Sequence, residues 1–273
     1  MRKRNSDQPD TPEEDSNDRQ FVTALHRGLD ILRAFSPEDR TGLGNRDLAD
    51  RTGLPNSTVS RLTYTLLKLG YLVYDETTGR YRMGVPVLGL GYACLSGMKV
   101  RETAQPLMQA LADEAGDGVL VALGGRDDLA MTYIAAARAA RGMISLQLSV
   151  GSRISLARSA MGRAYLAALD APEREDLLER IRQKAGPDRW ARLGPEIDEA
   201  KAQIDRQGFY VNTGQWLPGI NSVSVPYPMP HGETPLLAFN LGGPAFALPE
   251  ERLSRDLGPR LLQMVQAVRQ IGG

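Results

Sequence analysis

Five side chains that can contact DNA recur at helical spacing. Ser57, Ser60, Arg61, Tyr64 and Lys68 lie three and four residues apart, so on an α-helix they form one polar stripe. Hydroxyls, a guanidinium and a phenol can read base edges and phosphates from a helix lying in a major groove. Thr58 joins them at the helix start, and Arg46 extends the set onto the preceding segment. The other side of the same stretch carries Val59, Leu62, Leu66 and Leu67, also at helical spacing, which predicts a buried stripe.

A stripe of this kind needs a scaffold, and the run Asn45 to Leu69 supplies one. Leu48 and Ala49 face one way on a first short helix. Gly53 follows Ala49 by one turn, a small-residue spacing expected to let two helices cross tightly at a sharp turn. Leu54 then drops into the core, and Asn56 or Ser57 can cap the next helix with a short polar side chain. Turn, cap and both stripes agree on a helix-turn-helix, where an ordinary hairpin with a solvated face would require none of them. Phe21, Val22, Leu25, Leu29, Ile31, Leu32 and Phe35 predict a helix packed on these two.

A hairpin follows. Gly70 ends the long helix. Tyr71–Tyr74 predicts a short strand, Asp75–Gly79 a turn, and Arg80–Met83 a returning strand. Side chains alternate along a strand, so Arg80 and Arg82 share a face and are expected to touch phosphates or the minor groove. The unit is therefore a winged helix-turn-helix.

Charge alone gives no nucleic-acid signature. The 273 residues hold 33 basic and 33 acidic side chains. Residues 20–92 hold nine basic and seven acidic, so local placement must carry DNA binding. Weak individual binding then calls for a dimer on a palindromic duplex. One cysteine, Cys94, excludes an internal disulfide framework. The sequence shows neither an apolar run of about 18 residues nor a signal-peptide pattern, so the expected location is the cytoplasm, with no membrane partner.

Composition shifts divide the chain. Residues 1–19 are polar and poor in apolar side chains, and read as a disordered tail. Residues 20–84 form the winged helix. Residues 85–99 include the apolar stretch Val87–Leu95, which predicts a linker helix whose exposed surface pairs with another copy. Residues 100–273 alternate strands and helices. Val119–Leu123 and Leu129–Ala135 read as a hairpin around a loop at residues 124–128, and Met143–Val150 as a further strand. Helices are expected at Ser159–Leu169, Pro172–Gln183 and Pro195–Gln207. Strands follow at Phe209–Asn212, Ile220–Pro226 and Leu236–Leu241, before a last helix from about Pro249 to Gln270. Strands on both sides of a helical block predict an antiparallel sheet with helices on it.

The second half lacks catalytic groupings. Its only histidine is His231, and with one cysteine it cannot supply a typical zinc set. No P-loop, nucleophile elbow or dinucleotide fingerprint is present. Asp127-Asp128 and Glu250-Glu251 are adjacent carboxylates of the solvated or helix-capping sort. The expectation is no enzyme, no metal and no cofactor, the alternative being an enzyme fused to a DNA-binding domain.

Over residues 20–270 the chain resembles the IclR family of bacterial transcriptional regulators. The matching residues are Asp47-Leu48-Ala49, Thr52-Gly53-Leu54-Pro55, Ser57-Thr58-Val59 and Arg61-Leu62. In the second half they are Val150 to Leu156, Ala160 to Ala167, Gly219 to Pro226 and Gly243-Pro244. The resemblance implies an α+β two-domain protein: a winged helix-turn-helix, a linker helix and a GAF-like α/β domain that binds a small effector, working as a dimer or tetramer. It also implies that Ile154, Ala160, Met161, Asn212, Ser222, Asn240 and Gly242 line the effector pocket. Some relatives carry an acid, a cysteine and two serines at the last four positions, and this chain departs from that pattern. A helix start after Ser159 suits a carboxylate, with Arg153 and Arg158 as possible helpers and Trp216 as a lid. The expected function is transcriptional regulation in response to a small carboxylate or aromatic acid.

Overall fold

The computed structural model describes residues 20–139, 147–228 and 236–272. The expected tail, the first part of the strand at 143–150, and His231 lie outside them. The chain divides into two compact units between Cys94 and Leu95, inside the predicted linker helix. Among the described residues, no helix is long and apolar enough to cross a membrane.

The first unit holds α1 (Thr23–Arg33), α2 (Asn45–Thr52), α3 (Asn56–Lys68), β1 (Leu72–Asp75) and β2 (Arg80–Met83). Ile31, Leu43, Leu48, Val59 and Leu72 form its buried centre, so the predicted apolar stripes do face inward. Gly53 adopts φ +68° as α2 ends, a conformation that favours glycine. An added Cβ there would meet nothing within 4 Å. The turn therefore needs glycine for its dihedral, and not for a tight helix crossing as its spacing had implied. The expected cap is also corrected. Pro55 occupies the N-cap of α3 without a side-chain bond, and its carbonyl accepts from the amides of Thr58 and Val59. Asn56 and Ser57 thus lie inside the first turn.

The wing pairs Leu72 with Met83 and Asp75 with Arg80. Leu43 adds a third short edge by exchanging two backbone bonds with Tyr81, in a segment the sequence presented as loop. α4 (Val85–Ser96) follows and has no buried residue. Val85, Leu88, Leu90 and Tyr92 are each more than half exposed.

The second unit opens with α5 (Lys99–Ala115). Its six-stranded antiparallel sheet has the order β5-β4-β3-β8-β7-β6. The strands are β3 (Leu120–Asp127), β4 (Ala130–Arg138), β5 (Arg153–Ser155), β6 (Tyr210–Thr213), β7 (Ile220–Tyr227) and β8 (Leu237–Pro244). The helices α6 (Ala160–Ala167), α7 (Ala171–Ala185) and α8 (Pro187–Gln207) lie between β5 and β6. After β8 come α9 (Glu250–Arg252), a π-turn at Leu253–Leu257 and α10 (Gly258–Gly272).

Alternation along the strands builds two cores. Val121, Leu123, Phe239 and Leu241 pack with α5 and α10. Leu120, Ala122 and Ala238 point the other way and pack with α6, α7 and α8. A sheet buried on both faces by helices holds each side chain it presents in one place.

Three expectations change here. β3 runs through Gly124 and Gly125, and the turn shrinks to Asp128-Leu129. Those glycines mark close approach, since a Cβ on Gly124 would lie 2.5 Å from the Met161 sulfur. Residues 147–149 form no strand and Val150 lies in a turn, where Ser149 and Ser152 bond each other. α8 begins at Pro187, eight residues before the expected start, and carries Pro195 inside it.

Candidate functional site

On the first unit, Ser57, Ser60, Arg61, Tyr64 and Lys68 are all exposed, and Thr58 is half-buried. Lys68 sits 5.4 Å above the Tyr64 ring, so the two present charge and ring together. Asn45 of α2 donates to the Ser60 hydroxyl of α3 at 2.8 Å, a side-chain link between the two helices. Arg61 has no partner among the described residues. Arg46 is almost fully exposed, with only Asp50 at 4.0 Å.

The two wing arginines differ from one another. Arg80 donates to the Gly42 carbonyl at 2.7 Å and to Asp47 at 3.1 Å. Asp47 also accepts from the Gly44 amide at the start of α2. Arg80 thus ties the wing to the first recognition-unit helix, a role its strand position did not reveal. Arg82 pairs with Asp75 at 3.2 Å and stays more than half exposed, which leaves it the freer of the two for phosphate.

On the second unit, a small cavity of about 10 Å³ lies at the N-terminus of α6, at the lower limit for one water. Ile154, Ala160, Ser222, Asn240 and Gly242 line it, together with Tyr133, Ser159, Ile220 and Trp216. Five of the seven expected pocket residues are therefore brought together. Asn240 accepts from Ser224 at 2.7 Å. Ser159 caps α6 by accepting from the Gly162 amide at 3.0 Å. The amides of Ala160 and Met161 have no intrahelical acceptor.

The other two expected residues lie outside the lining. Met161 is buried beneath Gly124. Asn212 is a clamp: its amide donates to the Arg158 carbonyl at 3.0 Å, and its oxygen accepts from the Gln215 amide at 3.2 Å. This ties down residues 213–219, the loop that carries Trp216 over the cavity. Arg158 holds the same loop from outside, donating to the carbonyls of Gln215 and Trp216 at 3.2 and 2.9 Å. Arg153 turns away to Asp127 at 2.5 Å.

A third fastening has a buried centre. Arg163 on α6 is 0% exposed. It donates to the Ala157 carbonyl at 2.9 Å and to the Tyr210 hydroxyl at 2.6 Å, and it contacts Gln215 and Glu196. Burial pushes the Tyr210 phenol above its ordinary pKa, so it stays protonated and donates to Gln215 at 2.8 Å. Its side-chain partners come from α8, β6 and the 213–219 loop, 33 to 52 residues away. Only an arginine placed among alanine and glycine on a helix with no exposed residue could have hinted at this.

The entry of α6 is tight. A Cβ on Gly162 would lie 2.1 Å from the Leu156 carbonyl oxygen. Gly162→Ala is expected to destabilise this unit by about 1–3 kcal/mol through forced backbone movement. Chemical denaturation would show it, and an unchanged midpoint would refute the close packing.

A winged helix with an exposed polar stripe, joined to a helix-covered sheet with a small cavity, defines a DNA-binding transcriptional regulator. Family models for the IclR helix-turn-helix domain and the bacterial transcriptional regulator IclR C-terminal match residues 24–76 and 92–270. The chain belongs to the IclR family. It is 33% identical over 250 residues to the HTH-type transcriptional regulator TsaQ1/TsaQ2 of Comamonas testosteroni, covering 91% of this chain and 88% of that one. A crystal structure of an IclR family transcriptional regulator from Brucella abortus superposes with TM-score 0.86 at 43% identity, covering 93% and 94% of the two chains. An IclR homolog from Microbacterium hydrocarbonoxydans, complexed with 4-hydroxybenzoate, shares the fold at TM-score 0.67 and 20% identity, covering 90% and 98%.

Proposed function

We propose that this regulator answers a small carboxylate or aromatic acid held in the cavity at the start of α6. The cavity carries the reading: it joins helix amides and the polar groups of Ser222 and Asn240 to an apolar wall at Ile154. Amides at a helix start favour an anion, and mixed polar and apolar walls suit a small organic molecule. That the 20%-identical homolog is complexed with 4-hydroxybenzoate supports the same ligand class. A cavity of about 10 Å³ is too small for any such acid, so binding requires the Trp216 loop to lift. Asn212 acts on this loop rather than on the ligand.

The DNA partner is a palindromic duplex read by Ser57, Thr58, Ser60, Arg61 and Tyr64, with Arg46 and Arg82 on the backbone. Its half-sites lie about one helical turn apart, or a multiple of it. Exposed apolar residues of α4 support pairing of two copies, as a dimer or tetramer working in the cytoplasm. The effector acts by differential affinity for two states of the dimer.

Calorimetry on the full chain tests the ligand. Among aliphatic and aromatic monocarboxylates including 4-hydroxybenzoate, at least one binds and alters operator affinity. Ser222→Val weakens that acid about tenfold or more by removing a bond to a charged group. Absence of any binding acid, or equal binding by the variant, would overturn the reading.

A further inference from the structure

A second cavity opens on the other side of the 153–160 segment. It is larger, about 530 Å³, and Leu129, Ile181 and Leu193 supply an apolar floor. Its rim carries four cations: Arg158, Lys184, Arg189 and Arg192. Lys184 and Arg189 have no partner among the described residues. Arg192 has only Glu196 at 3.7 Å, and that carboxylate already serves the buried Arg163. Asp188 is the acid next to Arg189 in sequence.

The placement of these charges runs against helix electrostatics. Lys184 is in the last turn of α7 and suits its own helix. Arg189 is in the first turn of α8, where the helix end is already positive and cations are disfavoured, and Arg192 follows about one turn on. An anion in the cleft would relieve that repulsion. The guanidiniums offer paired donors to carboxylate or phosphate oxygens.

Arg158 links this cleft to the lid. Its Nη2 alone holds the carbonyls of Gln215 and Trp216, while its Nε and Nη1 have no partner among the described residues. An anion in the cleft can engage those nitrogens and shift the guanidinium that fastens the lid.

We propose that this cleft is a second ligand site, for a compact organic dianion with a flat apolar body, joined through Arg158 to the loop over the inner cavity. Two negative charges match the two unpartnered cations, and the apolar floor excludes a bare inorganic ion as the best fit. The binding claim stands apart from the inner cavity, and only the link to the lid rests on that reading. A phosphate monoester and a dicarboxylate share this chemistry. Phenyl phosphate and isophthalate are therefore titrated separately into the full chain, with benzamide as the neutral control.

The expected result is saturable binding of at least one dianion and none of benzamide. Lys184→Gln with Arg189→Gln should weaken it at least tenfold, and Ser222→Val in the inner cavity should leave it unchanged. No binding of either dianion at millimolar concentration overturns the site. Loss on Ser222→Val but not on the cation pair does so too, by assigning the dianion to the inner cavity. With Trp190→Phe as background, the dianion should change Trp216 emission, and Arg158→Gln should abolish that change. Unaltered emission on saturation would refute the link.

Discussion

Arg61→Ala is expected to remove most of the sequence-selective DNA affinity, by about 1–3 kcal/mol at each half-site. That is roughly fivefold to 150-fold per half-site, and two copies on a palindrome would lose it twice. The expectation rests on geometry. Arg61 is exposed on α3 between Ser57 and Tyr64 and has no partner among the described residues. Its guanidinium is therefore not competed for, whereas Arg80 is held by Gly42 and Asp47. Competition gel shifts at several salt concentrations separate the alternatives. A base contact relaxes preference at one position per half-site, while a phosphate contact weakens all sequences alike and reduces the salt slope by about one. Unchanged affinity would place Arg61 outside the interface. Arg80→Ala should instead lower the stability of the winged unit, with DNA binding lost only as folding is lost.

Arg163→Met should be the most damaging single change in the second unit. Removing one partner of a buried ionic network costs about 3–5 kcal/mol, because the remaining groups stay buried and unpaired. Here the buried ones are Tyr210 and the Ala157 carbonyl, while Gln215 is exposed and Glu196 partly so. For a unit of this size the melting temperature should fall by roughly 6–20 °C. Arg163→Lys keeps the charge but loses the fork, so it should fall between the two. Calorimetry of the full chain would follow the transition of this unit. A midpoint within about 2 °C of the parent would mean that the network contributes no net stability.

The exposed polar face of α3 was legible in the sequence because its signal is local. A stripe at positions 57, 60, 61, 64 and 68 needs only the helical period, and the buried stripe opposite confirms the phase. The antiparallel sheet with helices on it followed less directly, from the placement of a helical block between strands, and the strand order did not follow at all. Local signals misled where a residue answered to a distant one. Gly124 and Gly125 have turn composition but lie in a strand, where Gly124 serves the approach of Met161 on α6 and Gly125 that of Leu237. Asn56 has cap chemistry, yet Pro55 takes the position with a fixed dihedral and a carbonyl that accepts from Thr58 and Val59. Asn212 was expected against a ligand and instead holds a loop. No pattern within a window of the chain could have joined Arg163 to Glu196, Tyr210 and Gln215.

Strand β8 is buried along its whole length, with Asn240 and Gly242 toward the cavity and Phe239 and Leu241 toward α5 and α10. A one-residue insertion or deletion within it would exchange the two sets. Polar groups would enter an oily core and aromatic bulk would fill the cavity. Variation in this strand is therefore confined to replacement of one residue by another. Change in the wall of the cavity among descendants of this chain would accumulate as point substitutions there, while gains and losses of length are left to the connecting loops.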